Sequence, residues 1–346
     1  MPVSNRLTPH SSRLIAVKIG LLGAGEFARG TLLPAMKKVK GIEFVGVCTA
    51  SGISAQHVAH KFDFGYATTD ESQILNDPKI NTVVIATRHH LHARQVIAAL
   101  KAGKHVFVEK PLCINEAELK KIIDVYHSTL STRPSGLVLM VGYNRRFSPM
   151  ALRLKEFLSD IHEPLVMHYR VNAGYIPHNH WVHDSEQGGG RIIGEVCHFV
   201  DFLTFLSGSL PSKVYSKALS NNGRYQNDNL TATIEFANGS LGNITYVANG
   251  NKGFPKERVE VFGGEKAAVL DNFKELAMVS NQKRRTVRSR FKQDKGHEAE
   301  WRKFSEKMCS EERSPIPFDE NVEVARGTFA IAKSIKDFDP VVIKGV

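Results

Sequence analysis

The sequence predicts an α/β chain in two parts: a doubly wound parallel sheet over residues 1–145, then an α+β part with an antiparallel sheet over residues 146–346. Three observations carry this. Strand-like and helix-like periods alternate through the first 145 residues. A glycine-rich turn joins the first strand to the first helix. After Arg146 most helices give way to strands separated by turn signals.

The run VKIGLLGAGEFARGTLLPAM, residues 17–36, is an apolar strand that turns through glycines straight into a helix. Gly23, Gly25 and Ala28 fit G-x-G-x-x-G/A: the first glycine permits the turn, the second lets backbone approach a pyrophosphate, and the small alanine lets helix and sheet close. A diphosphate then sits on unpaired N–H groups at the positive end of a helix. The pattern continues with EFVGVCT, a helix around Ala55 to Phe62, NTVVIAT, a helix from Leu91 to Lys101, HVFVEK, a helix from Glu116 to Leu130, and LVLMVGY. Asp70 before ESQIL and Asn115 with Glu118 supply helix N-caps. In such a sheet ligands bind beyond the carboxyl ends of the strands. The segments Gly23 to Ala28, Thr49 to Gly52, Thr87 to His92 and Glu109 to Pro111 all fall at such ends, so four distant loops converge on one crevice.

Beyond Arg146 an amphipathic helix around Met150 to Leu158 leads into PLVMHYRVNAG, a polar loop, and a helix near Gly190 to Leu206. KVYSKAL, NLTATIEFANGSLGNITYV, ERVEVFGGEKAAVL and ELAMV follow as strands, with ANGS as a hairpin turn. Helices from His297 to Met308 and Glu320 to Ile335 end the pattern.

The composition excludes several classes. Of 346 residues, 42% are hydrophobic and 23% charged, ordinary for a globular enzyme with a substantial core. No run approaches the roughly 20 apolar residues that span a bilayer, and no signal-peptide pattern is read at the N-terminus, so the expected location is cytoplasmic without membrane contact. Cys48, Cys113, Cys197 and Cys309 lie far apart, which suggests neither a disulfide framework nor a cysteine zinc site. The net charge is +11, and KRRTVRSRFKQDK between Lys283 and Lys295 holds seven of the basic residues. With Phe291 as its one aromatic and no nucleic-acid module around it, this run reads as a solvated hairpin, and no nucleic-acid partner is assigned.

In order, GAGEFARG, ATRHHLHA, VFVEKPLCIN, GYNRRFSP and GGGRIIGEVCHFVDFLTFLSG resemble the Gfo/Idh/MocA family of sugar and polyol oxidoreductases, from about Leu14 to Ile335. The resemblance implies a Rossmann dinucleotide-binding domain followed by a domain with a large open, mostly antiparallel sheet that mediates homodimers or homotetramers. The GRIIGEVCHF helix and NAGYIPHNHW loop are most similar to the module fused to zinc-type alcohol dehydrogenases in bidomain oxidoreductases. That placement implies a partner domain encoded elsewhere, lost, or trimmed away.

The cofactor contacts expected from the strand ends and the resemblance are Gly23, Ala24, Gly25, Glu26 and Phe27, then Thr49, Ala50 and Ser51, then Ala86, Thr87, His89 and His92, then Glu109, Lys110 and Asn144. Lys110 of the E-K-P box matches the position the family uses beside the nicotinamide and the substrate hydroxyl. Oxidising a carbinol requires removal of the O–H proton, and reducing a carbonyl requires its return; a partly desolvated lysine can do either. His198 matches the family's second catalytic position and would share that proton. The family commonly places an aspartate four residues earlier, where this chain has Gly194, and Glu195 is the nearest carboxylate to replace it. Asp201 is a candidate to orient the His198 imidazole. Substrate contacts expected alongside Lys110, Glu195 and His198 are Tyr143 and Arg146, then Tyr175, His180 and Trp181 from the loop ahead of the catalytic helix. His178, His180 and His183 are spaced as metal ligands can be, but hydride transfer in the family needs no metal, and none is assigned.

The cofactor is NAD(P). The second strand ends in CTASG without the acid that binds the ribose 2′-OH in NAD enzymes, which tips the expectation slightly toward NADP, with Ser51 as a phosphate partner. Three functions fit these residues: hydride transfer between the nicotinamide and a hydroxyl or carbonyl carbon of a sugar, polyol or nucleotide-linked sugar; a redox-neutral elimination, hydrolysis or epimerisation with recycled NAD, for which Gly194 leaves room; and a non-catalytic dinucleotide-binding regulator, supported by the basic run alone.

Overall fold

Nearly continuous apolar runs become the centre of the first sheet, because parallel strands covered by helices on both faces have no solvent side. In β1 (Val17–Leu22), β4 (Thr82–Ile85) and β5 (His105–Val108), at most one residue per strand is not buried. The structure is a computed structural model and describes residues 16–132, 136–220, 223–289, 293–309 and 314–343. The N-terminal stretch in which no signal peptide was read, and Arg290, Phe291 and Lys292 of the basic run, lie outside the described residues. With β2 (Ile42–Cys48), β3 (Tyr66–Thr68) and β6 (Leu139–Val141), the strands run in the order β3-β2-β1-β4-β5-β6, every pair parallel. The order reverses between β1 and β4, which opens a crevice at their carboxyl ends.

The glycine turn leads into a helix, but its second turn is π-helical, Ala28–Leu32, before α1 (Leu33–Met36). Pro34 has no N–H to give the carbonyl four residues back, and the helical ladder widens just upstream of it. The other helices of this half are α2 (Gly52–Phe62), α3 (Glu71–Asn76), α4 (His89–Lys101) and α5 (Glu116–Thr132). Asp70 caps α3 by accepting from the Ser72 N–H at 2.8 Å. Asn115 accepts from the Glu118 N–H at 2.9 Å, while the Glu118 carboxylate reaches back to the Ile114 N–H at 3.0 Å, one residue earlier than a capping box would place it. Short β3, with three residues, escapes the alternation pattern altogether.

The second sheet has nine strands in the order β14-β13-β12-β11-β7-β10-β9-β8-β15. They are β7 (Val166–Asn172), β8 (Pro211–Ala218), β9 (Asn229–Phe236), β10 (Leu241–Val247), β11 (Glu257–Gly263), β12 (Lys266–Asp271), β13 (Glu275–Ser280), β14 (Lys283–Arg288) and β15 (Val341–Val342). Alternation with one face buried is clear in strands such as β9 and β10, and β9–β10 is the hairpin turned by ANGS. One pair departs from the antiparallel rule. β7 inserts between β11 and β10 and runs parallel to β10, because it arrives from α6 (Pro149–Phe157) and leaves through the loop and α7 (Cys197–Ser207) rather than through a hairpin. The basic run forms β14, an exposed edge strand in which Arg288 pairs with Glu275 at 2.8 Å. On the open face Phe262, Val166 and Leu241 stand side by side across β11, β7 and β10, each close to half exposed.

Two later helices, α8 (His297–Cys309) and α9 (Phe318–Asp337), tie the halves together. Trp301 of α8 is buried against Phe107 of β5, ring centroids 4.3 Å apart. Among the described residues no helix is long and apolar enough to cross a membrane.

The connection after β6 is fixed by two buried arginines in the short helical turn Asn144–Phe147. Arg145 donates to Glu257 at 2.7 and 3.2 Å, and the same carboxylate accepts from the Tyr169 hydroxyl and from Lys295, each at 2.6 Å. Arg146 donates to Asp201 of α7 at 3.1 and 2.5 Å and to Glu320 of α9 at 2.9 Å. This corrects two expectations. Arg146 does not reach toward a substrate, and Asp201 does not orient His198: each is committed to the other, because burying either charge alone costs far more than the pair gains. Tyr143, also expected at the substrate, is 1% exposed and packs in the core.

Removing one partner of such a pair strands the other, so Arg146→Ala is expected to lower stability by about 3–5 kcal/mol, while Lys110→Ala, at a half-buried position, costs less than about 1 kcal/mol. Denaturant midpoints check the ranking, and a mild effect of Arg146→Ala contradicts the anchoring role.

Candidate active site

Gly23 takes φ +84°, and a Cβ there would lie 2.6 Å from the Ala86 carbonyl oxygen; only glycine lets β1 turn this tightly against the end of β4. Gly25 is the opposite case. Nothing lies within 4 Å of where its Cβ would be, so the backbone there is open to a ligand. Ala28 is buried between helix and sheet. The strand-end loops converge on one cavity of about 1180 Å³. Every expected cofactor contact from Gly23 to Asn144 lines it, as do His180, Trp181 and His198.

At the β2 end the Thr49 hydroxyl donates to the Ser51 carbonyl at 2.7 Å. A carboxylate absent from CTASG lies nearby in space: Glu71, at the start of α3, lines the same cavity with Ser51, Ser54 and Thr69. It accepts from Arg94 at 2.8 and 3.0 Å and from Gln95 at 2.6 Å. Arg94 does not line the cavity, whereas Gln95 does.

At the β4 end His92 is fully buried between two carbonyls, Pro111 at 2.7 Å and Thr87 at 3.2 Å. Burial pushes its pKa down to about 4, so the ring is neutral and its single N–H ties α4 to the E-K-P loop. At the β5 end Glu109 packs against Gly142, where a Cβ would stand 3.1 Å from its oxygen. Burial pushes Glu109 up to about 7, with Lys110 opposing.

Lys110 Nζ crosses from the first half to the second and donates to the Gly194 carbonyl at 2.8 Å. Gly194 lies in a π-helical turn, Ile192–Val196, that runs directly into α7, and His198 follows one helical turn later. Lys110 and His198 thus face one cavity from opposite halves of the chain. The imidazole is 8% exposed; burial, then the charges of Arg145, Lys110, His297 and Lys295, hold its pKa well below the usual histidine range.

Glu195 is placed differently from the expectation. Burial alone would raise its pKa, but Arg191, four residues earlier on the same helical face, and the Tyr246 hydroxyl at 2.7 Å hold it below the ordinary glutamate value. It belongs to an ionic cluster with Asp228 and does not line the cavity. Tyr175 is likewise elsewhere, packed against Tyr225 and under the Arg224 guanidinium at 4.8 Å. Among the described residues no three His, Cys, Asp or Glu side chains gather as a metal would require.

Two further cavity residues were assigned to no site by the sequence. Lys295 and His297 enter from the segment that leads into α8, where Gly296 takes φ +90° and leaves no room for a Cβ beside the Asn144 carbonyl. Asn144 donates to the Lys295 carbonyl at 2.7 Å, and the His297 ring lies 5.6 Å from Phe27, edge to face.

Two family descriptions match the chain: "Oxidoreductase family, NAD-binding Rossmann fold" over residues 17–132, and "Oxidoreductase family, C-terminal alpha/beta domain" over residues 155–328. The chain is 28% identical over 265 residues to the oxidoreductase YrbE of Bacillus subtilis, covering 73% of each. It is 25% identical over 273 residues to myo-inositol 2-dehydrogenase of Thermotoga maritima, covering 76% of this chain and 78% of that one. A levoglucosan dehydrogenase in complex with NADH and levoglucosan superposes with a TM-score of 0.82 at 23% identity, over 95% of this chain and 99% of that one.

The Glu109 environment has a stability signature. Its carboxyl titrates near 7 in the fold against 4.5 without it, so the folded state holds the proton more tightly. The resulting stabilisation is complete below about pH 4.5 and is lost as pH rises through about 7. Glu109→Gln removes this dependence: its stability relative to the parent is expected to rise from about pH 5 to about pH 8, by at most about 3 kcal/mol. Denaturant midpoints at the two pH values measure it, and a constant difference contradicts a raised Glu109.

Proposed function

The chain belongs to the Gfo/Idh/MocA family of oxidoreductases, and on that premise we propose that it transfers hydride between a nicotinamide cofactor and a hydroxyl or carbonyl carbon of a sugar or polyol, with Lys110 handling the proton and His198 accepting a hydrogen bond from the reacting hydroxyl. The observation that supports this most directly is the approach of Lys110 Nζ to Gly194, one turn before His198, at the inner wall of a cavity that begins at the glycine turn. The relatives named as inositol and levoglucosan dehydrogenases favour the same substrate class.

The residues present fit a dinucleotide. The open backbone at Gly25 is suited to the diphosphate, and the cavity extends from there past Ser51 in one direction and to Lys110 in the other. When bound, the nicotinamide supplies the hydride acceptor or donor. Lys110 orients the reacting oxygen with the N–H groups not used on Gly194, and takes or returns its proton. His198, kept neutral by burial, is an acceptor for the substrate O–H and no store for a proton at neutral pH. The buried Glu109 beside Lys110 limits the charge that the site carries.

The redox-neutral alternative was kept open by Gly194 standing where the family commonly has an aspartate; a Cβ at Gly194 would stand 2.7 Å from His89 Cε1, so the position is packed against His89. For the cofactor we propose NAD over NADP, reversing the lean drawn from CTASG: the Glu71 carboxylate, held in place by Arg94 and Gln95, lines the same cavity as Ser51 and is an acceptor suited to a ribose hydroxyl and not to a 2′-phosphate.

A panel of myo-inositol, D-glucose, levoglucosan, uronates and nucleotide sugars, followed by nicotinamide absorbance, tests the reaction. Lys110→Ala is expected to lose about 10²–10⁴ in kcat while binding NADH within about twofold of the parent; equal turnover by the variant overturns the assignment. With the best sugar, the parent is expected to prefer NAD by more than about tenfold, and Glu71→Gln to narrow that preference by about tenfold. A parent that prefers NADP refutes the role given to Glu71.

A further inference from the structure

The proton chemistry leaves His89 without a task, although its ring stands at the reacting end of the cavity. The ring is held on three sides. Its Nδ1 lies 2.8 Å from the Gly188 carbonyl, which can only accept, so Nδ1 carries the hydrogen and Nε2 the lone pair. The Trp181 indole packs edge to face at 4.7 Å between centroids. Cε1 rests over the Cα of Gly194, the residue whose carbonyl holds Lys110 Nζ. Any side chain at 194 would displace the imidazole.

Among the described residues the one hydrogen bond of the His89 ring is the one at Nδ1, and His89 lines the cavity. Burial, reinforced by Lys110 and His92, pushes its pKa down to about 3, so near neutral pH the ring is uncharged and presents an acceptor. Resting on the hydride-transfer reading, we propose that His89 is a substrate-positioning residue whose Nε2 accepts a hydrogen bond from a hydroxyl neighbouring the reacting carbinol. A neutral sugar or polyol offers a donor there. An ionised carboxylate or a phosphate offers none and meets a lone pair, so His89 selects among sugars by the hydrogen its neighbour hydroxyl carries. Gly194 is the second half of the device, since its missing side chain is what lets the ring stand where it does.

The test uses the neutral members of the sugar panel, myo-inositol, D-glucose and levoglucosan, with the parent and four variants. His89→Phe keeps a ring against Trp181 and Gly194 but has no acceptor. It is expected to raise KM roughly tenfold, with kcat changed less than about threefold and the NADH Kd within about twofold of the parent. His89→Asn, whose amide oxygen accepts, recovers part of the loss. Gly194→Ala, which touches no substrate, is expected to raise KM as His89→Phe does by displacing the ring, and the double variant to be no worse than either single one. An unchanged KM in His89→Phe, equal losses in the Phe and Asn variants, or NADH binding weakened more than about tenfold in His89→Phe each overturn the proposal, the last by making His89 a cofactor contact. A parent enzyme that turns over none of the sugars overturns the hydride-transfer reading itself, and this inference with it; that failure shows in the parent rate, before any variant is compared.

Discussion

One ammonium–carbonyl contact spans the two halves of this chain: Lys110 Nζ, at the end of a strand in the parallel sheet, rests on the backbone oxygen of Gly194 at 2.8 Å. A carbonyl partner accepts from the ammonium without neutralising it, as a directly bonded carboxylate would, and leaves two of its N–H groups for another oxygen. Because the acceptor is main chain in a helical turn, the ammonium is positioned by the fold and not by a mobile side chain. The contact places it one turn from His198 of α7, so the geometry of two groups from different halves of the chain depends on how rigidly those halves are joined.

That rigidity comes from buried charge. Glu257 collects Arg145, Lys295 and Tyr169, and Asp201 collects Arg146, which also holds Glu320. Burial pushes Asp201 up to about 6 even with its arginine partner, which shows how little the surroundings solvate it. Such pairs contribute little net stability against apolar residues of the same shape, but they forbid alternatives, since any shift of the junction exposes an unpaired ion to the interior. Arg146 therefore acts on the active site from behind, while Arg145 also lines the cavity. The sequence-based assignment of Arg146 to the substrate was right about the neighbourhood and wrong about the direction in which the side chain points.

What was legible in the sequence was what is local. Gly23, Gly25 and the ends of β1, β2, β4 and β5 lie within short stretches whose periodicity sets their geometry, and all of them line the cavity. The Asp70 cap, the ANGS hairpin and the long helices are legible for the same reason. Residues that reach the cavity through tertiary contact left no such trace. Glu71 is separated from CTASG by a helix and a short strand, and Lys295 and His297 arrive from the far side of the antiparallel sheet, with Gly296 as the one local sign of an unusual backbone. Glu195 and Tyr175 were misplaced by proximity in sequence: Glu195 is captured by Arg191 one turn earlier, and Tyr175 by Arg224 from a distant loop. The parallel β7–β10 pair was hidden because alternation reports which face a residue occupies but not the direction of its neighbour.

The imidazoles around the cavity complete the physical picture. His89 is held to about 3, His92 and His297 to about 4, and His198 well below the usual range, in each case by burial first and by neighbouring cations next. A cluster of histidines is commonly read as proton traffic near neutrality, and here the opposite follows. Rings that cannot be protonated are fixed donors and acceptors, with directions set by the carbonyls they face, such as Pro111 for His92 and Gly188 for His89. Lys110 is left as the mobile-proton residue among the side chains assigned to the substrate, and the histidines supply shape and hydrogen-bond polarity. Neutral acceptors at His89 and His198 near the Lys110 ammonium match a ligand that carries hydroxyl hydrogens around one reacting oxygen, and the same low-dielectric burial that silences the rings strengthens each hydrogen bond they make.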